Sequence, residues 1–178
     1  MSKRVLCLLV DGFEEIETVT PVDLLRRAGV EVVLAALERK QVKGRCAMTL
    51  VADALLSEID PGNFDALLIP GGPGVGEMRE DERAAVLAES FAEQGKTVAA
   101  ICAAPLVLKD AGLLEGKRFT AHFSAHDDLP GVIDERVVVD GNLITSRGAG
   151  TALDFGFALV ECLAGVEALE EVQKAIMA

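Results

Sequence analysis

The chain has no tryptophan and no tyrosine, and seven phenylalanines supply every aromatic ring. Positive charge is scarce: 17 Lys and Arg stand against 29 Asp and Glu, a net charge of -12. Nucleic-acid and anionic-membrane partners both need clustered Lys and Arg, so neither is expected. The acidic excess is spread along the chain rather than gathered in a tail, and reads as a solubility feature. No apolar run reaches the roughly 20 residues that a membrane span requires. The first four residues lead straight into a strand-length apolar run, Val5 to Val10, with no small-residue cleavage site behind it. The expectation is a cytoplasmic protein without a secretory leader. The four cysteines (Cys7, Cys46, Cys102, Cys162) lie far apart and form no CxxC pair. That fits reduced thiols, not a disulfide framework or a zinc site.

What remains is a chain able to bury a core. Of its 178 residues, 51% are apolar and 26% charged, enough for a single domain spanning 1–178. Continuous apolar runs at Arg4–Val10, Val30–Ala36, Ala66–Ile69 and Thr97–Ile101 suit strands covered on both faces. Helical stretches alternate with them, at Glu14–Ala28, Asp81–Gln94 and Ala103–Ala111, and Thr151–Ala164 and Val166–Met177 close the chain. Pro21 falls inside the first helix, which either kinks there or restarts with Thr20 as cap. The stretch 39–54 has room for a short hairpin, and Asp140-Gly-Asn142 marks a turn between strands at 136–139 and 143–145. The order predicts an α/β, flavodoxin-like three-layer sandwich: a mostly parallel sheet with helices on both faces. Sites in such sheets lie beyond the carboxyl ends of the strands. Three loops qualify: the one with Asp11–Glu17, the one with Gly71–Gly76, and the one that begins at Cys102.

Thr97-Val-Ala-Ala-Ile-Cys102-Ala-Ala-Pro105 is a buried strand that stops at a cysteine and turns into a helix, which is how α/β enzymes present a nucleophile. Helix N–H groups and the helix dipole favour an anion there, hence a thiolate. Cys102 as a small buried hydrophobe accounts equally well for the local sequence. Asp11-Gly-Phe-Glu14-Glu15-Ile-Glu17 packs four carboxylates into seven residues. Glu14 and Glu17 share a helical face, while Glu15 points elsewhere. One inward glutamate beside a thiol would hold a proton, though acids at a helix N-terminus also simply complement the dipole. Pro70-Gly-Gly-Pro-Gly offers either an oxyanion hole or a tight turn; it is neither a P-loop nor a dinucleotide fingerprint. Of the two histidines, His122 follows an apolar pair and is the better site candidate, whereas His126 precedes two aspartates and reads as solvated.

Taken in order, these pieces resemble the DJ-1/PfpI (ThiJ/PfpI) superfamily, in its DJ-1-like branch. The resemblance rests on Gly12-Phe-Glu-Glu-Ile-Glu-Thr18, Pro21-Val-Asp-Leu-Leu-Arg-Arg-Ala-Gly29, Leu68-Ile-Pro-Gly-Gly72, Ala99-Ala-Ile-Cys-Ala-Ala-Pro105, Thr120-Ala-His122 and the segment from Thr145 to Phe155. It implies Cys102 as the reactive thiol, Glu17 as its hydrogen-bonding carboxyl, and backbone N–H groups from Gly72 and Ala103 beside the sulfur. His122 would sit nearby, with Glu14 and Gly71 at the pocket. It further implies a homodimer and activity without metal or organic cofactor. The expected reaction is of glyoxalase III or deglycase type, on methylglyoxal, glyoxal or their early adducts. The other expectation is a redox-sensing protein whose Cys102 oxidises to sulfinic acid. Protease-like members carry a histidine directly after the cysteine; Ala103 stands there, so peptidase activity is not expected. Cys7, in a core strand, and Cys162, on an apolar helix face, read as packing residues.

Overall fold

Val5, Cys7 and Leu9 of strand β1 (Arg4–Leu9) join one buried cluster, and Leu6, Leu8 and Val10 join another. A strand that buries both sets of alternating side chains needs a layer on each face. The computed structural model, which describes residues 2–178, supplies both layers. β1 sits inside a seven-stranded sheet of order β5-β2-β1-β6-β7-β9-β8. Its members are β2 (Glu31–Ala36), β5 (Ala54–Leu55), β6 (Ala66–Ile69), β7 (Thr97–Ile101), β8 (Val137–Asp140) and β9 (Leu143–Ser146). All pairs are parallel except β8 with β9, the hairpin around Asp140-Gly141-Asn142.

One face carries α1 (Glu15–Arg27), α5 (Ala152–Ala164) and α6 (Val166–Ile176), through Val22, Leu25, Phe155, Leu159 and Val172. The other carries α2 (Val75–Asp81), α3 (Arg83–Glu93) and α4 (Pro105–Asp110), through Met78, Leu87, Phe91 and Val107. This is the α/β, flavodoxin-like sandwich that the alternation of apolar runs predicts. A separate hairpin, β3 (Gln41–Lys43) with β4 (Thr49–Val51), occupies the stretch expected to hold one. No helix among the described residues is long and apolar enough to cross a membrane.

The departures have local causes. The helix expected over 81–94 starts only at Arg83, because Glu82 takes a φ of 63°, and α2 before this break is an unexpected helix. Nothing at 75–82 marks that break, since no proline or glycine stands at 82. Helix α4 is shorter than expected, starting only at Pro105. Pro21 neither ends α1 nor moves its start to Thr20. It is buried where α1 meets α5, and Gly156 of α5 makes the approach possible: a Cβ there would lie 3.2 Å from Pro21 Cα and 2.5 Å from Leu24 Cδ1. Cys7 is fully buried as read, but Cys162 is exposed, its sulfur 3.6 Å from Thr97 Oγ1.

Candidate active site

Because β1, β6 and β7 run parallel, their carboxyl ends lie on one edge of the sheet, and the loops that follow them converge. Cys102 comes directly after β7. Its N–H still donates to Ser146 O at 2.9 Å, so the ladder holds it in place. Its φ is then 67°, in the left-handed region that a side chain disfavours. Strain of this kind, of order 1–3 kcal/mol, persists only where the surroundings enforce it. The residue is 7% exposed.

Glu17 approaches from the first turn of α1. Glu14 caps that helix, its Oε2 accepting the Glu17 N–H at 3.0 Å. Glu17 is 1% exposed, and its Oε2 accepts the Gly71 N–H at 3.0 Å. Its carboxyl stands beside the Cys102 side chain, and each group shifts the protonation of the other. The turn after β6 closes the third side, and the backbone N–H groups of Gly72 and Ala103 favour a charged sulfur. Two glycines are required there by space. A Cβ on Gly71 would stand 2.5 Å from both Cys102 Cβ and Glu17 Oε2. One on Gly72, whose φ is 102°, would stand 2.3 Å from Gly12 O.

Burial sets the electrostatics. It pushes the Glu17 carboxyl from its ordinary 4.5 up to about 7, with the charge of Glu14 adding to the effect. It also pushes the Cys102 thiol up, to about 12, helped by the charge of Glu17; the Gly72 and Ala103 N–H groups act in the opposite direction. Burial therefore works against a thiolate made by the helix terminus alone. α4 begins three residues later and is short, and desolvation outweighs it. The thiol and the carboxyl titrate as a pair. When the proton moves from sulfur to Glu17, the repulsion disappears and the carboxyl becomes a donor to the thiolate.

His122 is partly buried and donates its backbone N–H to Cys102 O at 2.8 Å. Its Nδ1 accepts from Ser124 N at 3.3 Å and lies 2.8 Å from Ser124 Oγ. Burial, aided by the charge of Arg45, holds the ring below the usual histidine pKa. No side-chain hydrogen bond joins it to Cys102 among the described residues. Phe123, 76% exposed, lies against the His122 ring with centroids 4.1 Å apart. His126 is exposed, its Nε2 3.3 Å from Ala121 O.

Cys102, Gly72, Ala103 and His122 line a pocket of about 300 Å³ together with Arg45 and Arg79. Glu14, expected at its mouth, is instead 6% exposed and occupied as a helix cap. Asp11 is used structurally, accepting the Lys43 N–H at 3.0 Å and pairing with Arg39. Arg45 and Gly148 escape a reading of the sequence. A Cβ on Gly148 would lie 3.3 Å from His122 Cδ2, 3.6 Å from Glu17 Oε1 and 3.9 Å from Cys102 Sγ. Only the run of small residues at 148–150 hints at close packing there. One cluster among the described residues has metal-ligand spacing, and it joins Glu14, Glu15 and Cys46 rather than the thiol pair.

The model of the DJ-1/PfpI family matches residues 3–162. The chain belongs to that family. It is 40% identical to protein dj-1beta of Drosophila melanogaster, over 99% of this chain and 98% of that one. The crystal structure of that fly protein superposes with a TM-score of 0.95, covering 100% of this chain and 99% of the other. A deglycase of Thermococcus kodakarensis is 38% identical over 83% of this chain and 91% of its own. The structure of an oxidized DJ-1 from Toxoplasma gondii, 32% identical, has a TM-score of 0.93 over 99% of this chain and 98% of that one.

Proposed function

We propose that this DJ-1/PfpI family protein is a cysteine-dependent, cofactor-independent enzyme of glyoxalase III or deglycase type, acting on methylglyoxal, glyoxal or their early adducts. The observation that carries it is the buried Glu17 carboxyl, held by the Gly71 N–H, beside the Cys102 side chain. The Thermococcus relative named a deglycase supports it. Glu17 takes the thiol proton as the sulfur adds to the aldehyde carbon, and Gly72 and Ala103 N–H groups meet the developing oxyanion. Protonation of that oxygen gives a hemithioacetal. Removing the proton from the former aldehyde carbon and returning one to the neighbouring carbonyl carbon gives a thioester of the 2-hydroxy acid. Water then releases lactate and restores the thiol. The oxidation at one carbon balances the reduction at its neighbour, so no external cofactor takes part. His122, whose ring is held below the usual histidine pKa by burial, lines the pocket and is the second candidate for carrying protons. Ala103 occupies the position where a protease-like dyad would place its histidine, so peptidase activity is not part of the proposal.

The proposal places the protein in the cytoplasm as a homodimer. Ile16 and Val19, 52% and 45% exposed on α1, are apolar surface that a second copy would cover; a monomer mass of 18.8 kDa by light scattering would remove that element.

The experiment is lactate formation from methylglyoxal, without glutathione or added cofactor, by wild type and Cys102→Ala. Turnover that disappears in the variant is expected. Equal turnover in both proteins would overturn the assignment of Cys102. A second reading is supported by the oxidized Toxoplasma relative: Cys102 as a redox sensor, taking one oxygen from each of two peroxide molecules to reach sulfinate, with the Glu17 proton bonded to it. It requires a mass increase of two oxygens confined to Cys102 after mild peroxide.

A further inference from the structure

We propose a divalent-cation site, of zinc type, formed by Glu14, Glu15 and Cys46. Their donor atoms all lie within 4.8 Å of one another. A tetrahedral zinc ion holds thiolate at about 2.3 Å and carboxylate oxygen at about 2.0–2.2 Å, so its ligands fall within that spread. The site is distinct from the thiol pair and does not rest on the activity proposed above.

Glu15 gives the independent reason to expect a ligand. It is 5% exposed, and its Oε2 is buried with no hydrogen-bond partner among the described residues. A buried carboxylate oxygen without a partner is costly, and each such atom calls for an explanation. Its other oxygen, Oε1, accepts the N–H groups of Cys46 at 2.8 Å and Met48 at 3.3 Å. Those bonds fix the carboxylate beside Cys46 and leave Oε2 available. Gly44 makes the room, since a Cβ there would meet Glu15 Oε1 at 2.4 Å. Glu14 is also buried, while Cys46 is an exposed free thiol, so an ion reaches the site from the Cys46 side.

The donor set selects the ion. Two carboxylates and a thiolate suit borderline cations such as zinc, whereas calcium and magnesium take oxygen alone. Three protein ligands leave a fourth position for water. Binding releases the Cys46 proton as the sulfur–metal bond forms. An ion here ties the 44–48 turn, which carries the pocket residue Arg45, to the first turn of α1. Cysteine spacing could not reveal it, because the partner carboxylates come from another part of the chain and the pattern is not CxxC. The site departs from the expectation that the chain holds no metal.

The test is zinc titration of the metal-stripped full chain by calorimetry, for wild type, Cys46→Ser and Cys102→Ser, with cobalt as a spectroscopic substitute. The expected result is one zinc per chain in wild type and in Cys102→Ser, with a sulfur-to-cobalt charge-transfer band in both. Cys46→Ser, at an exposed position, should keep the wild-type melting temperature, lose the band and bind zinc at least about 10-fold more weakly. Calcium should not bind in the same concentration range. No zinc binding by wild type, a cobalt–sulfur band that survives Cys46→Ser, or one that depends on Cys102 would overturn the proposal.

Discussion

Glu17→Gln should make the protein more stable above neutral pH while removing its activity. In the folded protein burial lets Glu17 keep its proton to about pH 7, against an ordinary 4.5. The unfolded chain gives that proton up from about pH 4.5. Between the two values the folded state binds more protons than the unfolded one, so stability falls as pH rises. The contribution is fully present below about pH 4.5 and is lost as pH rises through about 7. At about 1.4 kcal/mol per pH unit, the interval from 4.5 to about 7 corresponds to about 3 kcal/mol. Glutamine keeps an acceptor for the Gly71 N–H and a donor toward the sulfur, yet never ionises. The variant should therefore lack this decline and exceed wild type by up to about 3 kcal/mol near pH 8. Urea unfolding followed by circular dichroism, from about pH 4 to about pH 8.5, measures it. A chelator in the buffer keeps stray cations from Glu14 and Glu15. Activity on methylglyoxal should drop at least about 100-fold, because the amide cannot take the thiol proton. Stability curves of the two proteins that run parallel across this range would refute the burial argument. Full activity in the variant would remove Glu17 from the mechanism.

Gly71→Ala forces a methyl to within 2.5 Å of Cys102 Cβ and Glu17 Oε2; a loss of about 1–3 kcal/mol in urea unfolding and loss of lactate formation are expected. Gly156→Ala presses on Leu24 and Pro21 at the α1–α5 contact, so it should lower stability by a similar amount of about 1–3 kcal/mol while leaving kcat unchanged. Glu82→Gly relieves the left-handed backbone between α2 and α3 and should raise stability by about 1 kcal/mol, read as a higher urea midpoint.

The sheet is legible in the sequence because β1, β6 and β7 are apolar on both faces, a pattern that a half-exposed strand does not produce. The break at Glu82 is not legible, since it depends on a positive φ at a residue type that rarely adopts one. At the site, the strand-then-helix pattern singles out Cys102. Helical spacing, by contrast, cannot separate Glu14 from Glu17, because both lie on one face. What separates them is the Gly71 N–H and the Cys102 sulfur, both brought in by other loops. One oxygen of Glu14 then serves as a cap, and one oxygen of Glu15 holds the 44–48 turn. The burial that opposes a thiolate at Cys102 is likewise a property of the assembled fold, not of residues 97–105. Arg45 and Gly148 arrive from distant segments whose local patterns say only turn and small residue.

Whether Cys102 is a functional thiol or a packing residue can be argued from Cys7, the other buried cysteine. Cys7 is wholly buried in a regular strand, and burial pushes its thiol well above the usual range. That is what an inert core cysteine looks like. Cys102 is nearly as buried, but it sits at a φ of 67°, which glycine would adopt without strain. It also faces a buried carboxyl that glutamine would replace at lower cost above neutral pH. Two separate destabilising features meeting at one sulfur are not explained by packing, since each has a cheaper alternative residue. They are explained if proton exchange between Glu17 and the thiol is what the site is for. Iodoacetamide labelling of the folded protein should then modify Cys102 and leave Cys7 unmodified. The Cys102 rate should fall in Glu17→Gln, which removes the carboxylate that takes the thiol proton. Labelling of Cys102 as slow as that of Cys7 would make it a second core cysteine and end the enzymatic reading.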